Sequence, residues 1–211
     1  MKIIQMLVGQ MAVFAYLVGC EKTGEAVVID PAGNEEEIVK RARDEGLKIV
    51  KIVNTHAHPD HTCGNAKIKK LTGAPIIIHE ADAAAINSPH ALEFARMLGC
   101  NELPPADQTV RDGDVITAGE EVRLKVLSTP GHSDGCICLY TPGHVFTGDT
   151  LFVSGVGRTD LPGGSFGKML SSIKNKILSL PDDTVVWPGH HYGPAPRSTV
   201  KQERETNEFL R

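Results

Sequence analysis

The run Thr55-His56-Ala57-His58-Pro59-Asp60-His61 carries the first chemical signal in this sequence. His56, His58, Asp60 and His61 all offer a nitrogen or a carboxylate oxygen to a metal cation. They follow residues 48–54, whose alternating apolar side chains predict a strand, so the run sits where a rigid scaffold hands functional groups to a loop. In extended chain His56 and His58 project to one side and reach one cation. Asp60 and His61 lie past Pro59, at the start of a predicted helix, and turn toward a second. Two cations need more than four ligands. Pro130-Gly131-His132, Gly148-Asp149 and Pro188-Gly189-His190 supply them, each after a predicted strand and beside a glycine that allows close backbone approach. A single His-Gly turn is more often an ordinary exposed or core histidine. Four strand ends that all finish in ligand-type residues are not explained by packing, and His and Asp donors favour zinc or iron over calcium or magnesium.

The elements that must position these residues alternate in runs. Strands are predicted at 3–8, 12–18 and 26–30, with a turn at Gly9-Gln10, then a helix over 34–45 with Asn34 as its N-cap. After the strand at 48–54 come a helix over 60–71 and a strand at 75–79. Residues 80–98 read as mostly helical, broken near Asn87-Ser88-Pro89, and 99–111 as loop. Strands return at 114–117, 122–128, 136–140 and 145–147. A helix over 165–180, a strand at 184–187 and a polar helix over 199–210 complete the order. Strands in runs, each followed by helices, twice over, predict an α/β fold in which two sheets pack face to face with helices outside, an αββα sandwich.

At 211 residues one domain spanning 1–211 is expected, and no linker or charge block divides it. Lys+Arg 22 against Asp+Glu 26 gives a net charge of -4 with no basic run, so neither nucleic acid nor an anionic membrane surface is an expected partner. The five cysteines, Cys20, Cys63, Cys100, Cys136 and Cys138, form no CxxC pair and no disulfide framework, which points to a cytoplasmic protein. Leu17-Val18-Gly19-Cys20 looks like a lipoprotein cleavage box. Gln5 and Gln10 interrupt the apolar run before it, however, and cleavage there would remove the first strand and most of the second. Cys63 invites a cysteine-hydrolase reading, but no histidine-activated thiolate is signalled.

With these residues in place the chain resembles the metallo-β-lactamase superfamily, and within it the glyoxalase II-like (hydroxyacylglutathione hydrolase-like) branch. The motif is Thr-His-x-His-x-Asp-His, followed in order by His132, Asp149 and His190. The resemblance runs from about Ala12 onward and implies the same four-layer αββα sandwich. It implies two divalent metal ions, zinc most of all, with iron or a mixed pair as the other options. One would be held by His56, His58 and His132, the other by Asp60, His61 and His190, with Asp149 bridging. His191 is set aside because the Pro-Gly-His frame selects His190. Asp30 resembles the family's early buried aspartate behind the site. The activity implied is hydrolysis of a thioester by a metal-bridging hydroxide, with Asp60 as the catalytic carboxylate that orients it or shuttles its proton.

For the substrate, Arg158 stands where the branch places a cation for the glutathione moiety, and Tyr192 matches a tyrosine that contacts the thiol. An Arg158–Asp160 salt bridge is the equally weighted alternative. Asp160 replaces an aromatic residue, and only 21 residues follow His190, so the helical domain that completes a glutathione site is not expected. The partner is therefore a small thioester or thiol-derived molecule. A mononuclear iron persulfide dioxygenase shares the fold and motif set, with iron on residues matching His56, His132 and Asp149. Gly155 to Asp160, the His132 to Cys136 segment, and Ser198-Thr199-Val200 with Glu203 and Glu205 resemble that branch too. A non-catalytic metal-binding scaffold is the third option. It conflicts with the open loop suggested by Gly155, Gly157, Gly163 and Gly164. Oligomeric state is not legible, and a secreted β-lactamase or a nucleic-acid-processing enzyme is not expected.

Overall fold

The computed structural model describes residues 1–211, the whole sequence. Its first sheet has the spatial order β1 (Lys2–Val8), β2 (Val13–Gly19), β3 (Glu25–Ile29), β4 (Lys48–Val53), β5 (Ile76–His79) and β6 (Gln108–Val110). The first three strands are antiparallel neighbours, and β3 through β6 run parallel. Their connections carry α1 (Glu35–Asp44), then α2 (Pro59–Thr62) with α3 (Asn65–Thr72), then α4 (Pro89–Met97). The rest of the chain supplies β7 (Val115–Ala118), β8 (Val122–Ser128), β9 (Ile137–Thr141), β10 (His144–Gly148) and the small hairpin β11 (Leu151–Phe152) and β12 (Gly155–Val156). It ends with α5 (Phe166–Ser172), β13 (Val185–Pro188), β14 (Ser198–Thr199) and α6 (Val200–Thr206). The second sheet takes the order β14-β13-β10-β9-β8-β7.

The period-two alternation of the strands builds the layers. Along β2, Val13, Ala15 and Leu17 enter the core under α1 and α3, while Phe14, Tyr16 and Val18 enter the core between the sheets. The second sheet answers with Leu124, Val126, Ile137, Leu139 and Phe146 on the shared core, and turns Leu127, Cys138, Val145 and Val186 toward Met169, Ile173, Ile177 and Val200 outside. Three apolar layers separate helix, sheet, sheet and helix, which is the αββα sandwich. Leu17 to Gly19 end β2, and Cys20, directly after it, is fully buried. No helix is long and apolar enough to cross a membrane.

Several expectations need correction. The 60–71 helix is two helices, broken at Cys63-Gly64. A Cβ on Gly64 would sit 1.8 Å from the Pro31 carbonyl oxygen, because the β3–α1 connection crosses directly over the break. Gly64→Ala is therefore expected to cost about 2–3 kcal/mol through overpacking, read as a drop in Tm of about 4–12 °C for a chain of this size. Asn34 precedes α1, but in the left-handed region and without capping it; its side-chain oxygen accepts from the Gly9 N–H instead. Residues 80–87 form a 3-10 turn followed by hydrogen-bonded turns, and only Pro89–Met97 is α-helical, capped by Ser88 Oγ accepting from the Ala91 N–H at 3.2 Å. The 99–111 loop contains β6, held by pairing with β5. The 165–180 helix widens after Ser172 into a π turn over Ile173–Ile177. Met169, Ile173 and Ile177 repeat every four residues, and the wider turn keeps all three on the sheet. The 199–210 helix stops at Thr206, where the Asn207 side chain starts a 3-10 turn by accepting from the Phe209 N–H.

Candidate metal centre

Topology brings the ligand-bearing loops together. β8 and β10 are both antiparallel to β9, and β13 runs parallel to β10, so all three end at the same edge of their sheet. β4 of the other sheet ends there too, since the Ile137 N–H donates to the Thr55 carbonyl at 2.9 Å. A register shift between Phe146 and Gly148 re-aims the end of β10 toward this edge. Gly148 then takes φ 48° with Thr55 packed 2.5 Å from where a Cβ would stand, a gap that only glycine fits.

The sequence-predicted ligands meet at that edge in three overlapping groups: His56, His58 and His132; His56, His61 and Asp149; and Asp60, His61 and His190. His58 Nδ1 stands 2.7 Å from His132 Nε2, and His61 Nε2 stands 3.0 Å from His190 Nε2. Asp149 lies between the groups. Its Oδ1 is 3.2 Å from His61 Nε2, and its Oδ2 is 3.3 Å from His190 and 3.5 Å from His132. Asp60 Oδ2 is 3.4 Å from His190 Nε2 and 3.7 Å from His61 Nε2. His191 turns away and packs its ring against Phe14.

The hydrogen bonds behind the rings select their tautomers. His132 Nδ1 donates to the Arg158 carbonyl at 2.7 Å, and His190 Nδ1 to the Met11 carbonyl at 2.8 Å. His61 Nδ1 donates to Asp30 Oδ2 at 3.1 Å. His56 Nδ1 donates to Thr55 Oγ1 at 3.1 Å, and that hydroxyl in turn donates to Asp30 Oδ2 at 2.7 Å. Each of these four rings therefore aims an Nε2 lone pair inward. His56 Nε2 and Asp149 Oδ1 are buried with no hydrogen-bond partner at all. Lone pairs converging at these distances, with orphaned acceptors among them, are what divalent cations satisfy, so the donor set fits the metals that the sequence implies.

Without a cation the acids and imidazoles perturb one another. Burial pushes His58 down to about 4, with the nearby His132 acting in the same direction. Burial also depresses His190, but Asp149 and Asp60 together overcome it and lift the ring to about 9; His61 is raised too, with Asp149, Asp60 and Asp30 overcoming its burial. Two imidazolium rings 3.0 Å apart repel, so this pair is best read as sharing one proton. Cation binding must expel it. Metal loading at pH 7 is expected to release at least about one proton per chain, from the imidazole pair, with any ionisation of metal-bound water adding to it, measured by calorimetry in buffers of different ionisation enthalpy. Affinity should rise with pH until about 9 and level off above; no proton release at pH 7 would contradict this account.

Arg158 and Tyr192 both border the cavity above the ligands, but neither presents a free polar group to it. The Arg158 guanidinium is held bidentate by Asp160 at 2.7 and 2.8 Å, which keeps the Asp160 carboxyl down at about 2. The salt-bridge alternative is the one present. The Tyr192 ring stacks on His190 with centroids 4.3 Å apart, and its hydroxyl donates to the Met11 carbonyl. Cys63 faces Cys100 rather than the main cavity, and that contact, with burial, keeps it a protonated thiol. Sequence reasoning missed Asp82, which is 3% exposed. It accepts from the Ala57 N–H at 2.9 Å, the Ser133 hydroxyl at 2.8 Å and the Gly135 N–H at 2.8 Å. Nothing in its neighbourhood along the chain signals that role.

Comparison with known proteins agrees with this geometry. The metallo-beta-lactamase superfamily model matches residues 8–190. A hydroxyacylglutathione hydrolase of Polaromonas sp. is 38% identical over 182 residues, 85% of this chain and 62% of that protein; the chain thus spans less than two thirds of that relative's length. The mitochondrial persulfide dioxygenase ETHE1 of Homo sapiens is 33% identical over 204 residues, 93% of this chain and 71% of that one. Among solved structures, TTHA1623 in a di-iron-bound form superposes with a TM-score of 0.85 at 33% identity, over 98% of this chain and 100% of the other. The chain belongs to the metallo-β-lactamase superfamily, in its glyoxalase II-like branch.

Proposed function

We propose that this protein is a dinuclear metal-dependent hydrolase that cleaves a small thioester, working in the cytoplasm as one domain over residues 1–211. The observation that carries the reading is the pair of separate three-ligand groups, with the Asp149 carboxylate between them. A second cation would use Asp60, His61 and His190; the dioxygenase branch carries the same motif set, so these groups offer room for two metals and metal content per chain tests whether both are used. The di-iron form of the TTHA1623 relative supports a two-metal centre, with zinc, iron or a mixed pair all compatible with the donors. A pair of bound divalent cations supplies water of near-neutral pKa and polarises the scissile carbonyl.

The chain's own groups do the rest. Asp60 remains ionised at neutral pH: burial raises its carboxyl, but His61 and His190 bring it below the ordinary carboxylate range. It borders the cavity, so its carboxylate can orient the attacking water and hold the proton that water gives up. Asp30 and Asp82 hold the ligand loops in position from behind. Tyr192 and the Arg158–Asp160 pair frame the substrate's entrance.

A second reading, persulfide oxidation at a single iron, draws on the similarity to the human persulfide dioxygenase, which this chain covers to 71% of its length. Metal content per chain decides between them, measured on protein purified without added metal. About two metals with thiol release from a thioester supports the hydrolase. About one iron with oxygen uptake on a persulfide overturns it in favour of the dioxygenase.

A further inference from the structure

The ligand cluster forms the floor of a cavity of about 1100 Å³ whose charges are unusual for a site meant to hold an anionic thiol. Arg158 is the only Lys or Arg that borders it, and its guanidinium is committed to Asp160. The other charged lining residues beyond the ligands are acidic: Asp82, Glu93 and Asp134. Asp82 is saturated by three donors and Lys168 reaches Asp134 at 3.0 Å, whereas Glu93 has no ion-pair partner. A glutathione conjugate, with two carboxylates and one ammonium, would find Glu93 for its ammonium but no free cation above the metals for either carboxylate, and its net charge is negative.

The same walls are apolar. Phe94 and Met97 come from α4, Phe152 and Val156 from the hairpin, Leu161 from the following loop and Phe209 from the last turn. Asn207 Nδ2 donates to the Gly155 carbonyl at 3.1 Å, and this ties the last turn to β12. Seven large apolar side chains of the whole protein are exposed, and three of them, Met97 (78%), Tyr192 (56%) and Phe209 (51%), border this one cavity. Unpartnered apolar area concentrated around a concave site is covered by a ligand's apolar part.

We infer that the cavity selects thioesters with an extended apolar chain and an uncharged thiol moiety, and discriminates against glutathione conjugates. The inference rests on the hydrolase reading for the word thioester, but the pocket can be tested apart from catalysis with unreactive thioethers. Metal-loaded protein is titrated calorimetrically at pH 8 with S-hexyl-N-acetylcysteamine, S-methyl-N-acetylcysteamine and S-hexylglutathione. The neutral hexyl compound should bind at least about 10-fold more tightly than either of the others, following chain burial and charge respectively. Met97→Glu should weaken it by about 10-fold with metal content unchanged, and Asp160→Ala, which frees Arg158, should improve S-hexylglutathione several-fold. Equal or tighter binding of S-hexylglutathione by the parent protein, no dependence on chain length, or no binding of any of the three overturns the inference. Hydrolysis is read separately, with the hexanoyl thioester of N-acetylcysteamine. If the thioethers bind in the expected order and this thioester is not cleaved, the hydrolase reading fails while the pocket's selectivity stands.

Discussion

Asp60→Ala is expected to lower thioester hydrolysis by about 10³-fold or more, an increase in barrier of about 4 kcal/mol. The reasoning starts from position. Asp60 sits in the first turn of α2, its side chain 10% exposed, with Oδ2 toward His61 and His190 on one side and the cavity on the other. Removing the carboxylate takes away one of the donors of the second group and a carboxylate placed to take up the water's proton. Metal content should fall from about two toward one per chain, because His56, His58 and His132 remain intact. Asp60→Asn keeps the volume but cannot hold the proton, so it should lose rate nearly as fully. The same variants separate the two reactions: a dioxygenase on His56, His132 and Asp149 should keep some iron and some oxygen uptake. Parent-rate hydrolysis by Asp60→Ala would rule out the two-metal reading.

What the sequence reveals and conceals follows from the range of the interactions involved. β2 and β8 are readable because alternation between two buried faces, or between one buried face and exposed Arg123 and Lys125, is written in consecutive residues. The ligands are readable because few packing roles call for His and Asp at strand ends. α2 and α3 read as one helix because the close neighbour of Gly64 at their junction is Pro31, thirty-odd residues earlier in the chain. β6 is three residues long, two of them exposed, and exists only because β5 lies beside it. The hairpin of β11 and β12 has two pairs, Leu151 with Val156 and Phe152 with Gly155, too few to leave a periodic trace. Arg158 illustrates the limit most clearly. Its residue type drew attention to the guanidinium, whereas the atom that serves the centre is its carbonyl oxygen, which any residue would supply.

Asp82 is the other position where a large effect is expected, and here the effect is on stability. Its two oxygens gather the Ala57 N–H between His56 and His58, the Ser133 hydroxyl beside His132, and the Gly135 N–H. One buried carboxylate thus ties the first-sheet ligand loop to the second-sheet ligand loop. Asp82→Ala leaves two backbone donors and a hydroxyl buried at about 1–3 kcal/mol each. After partial relaxation a loss of about 3–5 kcal/mol is expected, seen as a fall in Tm of about 6–20 °C. Asp82→Asn should recover part of this, because its amide oxygen can still accept from the Ala57 N–H and the Ser133 hydroxyl while its NH₂ faces the Gly135 N–H, which loses its acceptor. Ser133→Ala removes one of the three bonds and should cost about 1 kcal/mol, a control for the general sensitivity of the loop. Since Ala57 and Ser133 adjoin ligands, metal affinity of Asp82→Ala should also fall by about 10–100-fold. A Tm within 2 °C of the parent, about what a 1 kcal/mol change would give, together with unchanged metal content would show that the loops are held by their backbone pairing alone. The Ile137–Thr55, Phe14–Gly189 and His191–Ala12 backbone bonds would then be the ties that join the two sheets at the metal centre.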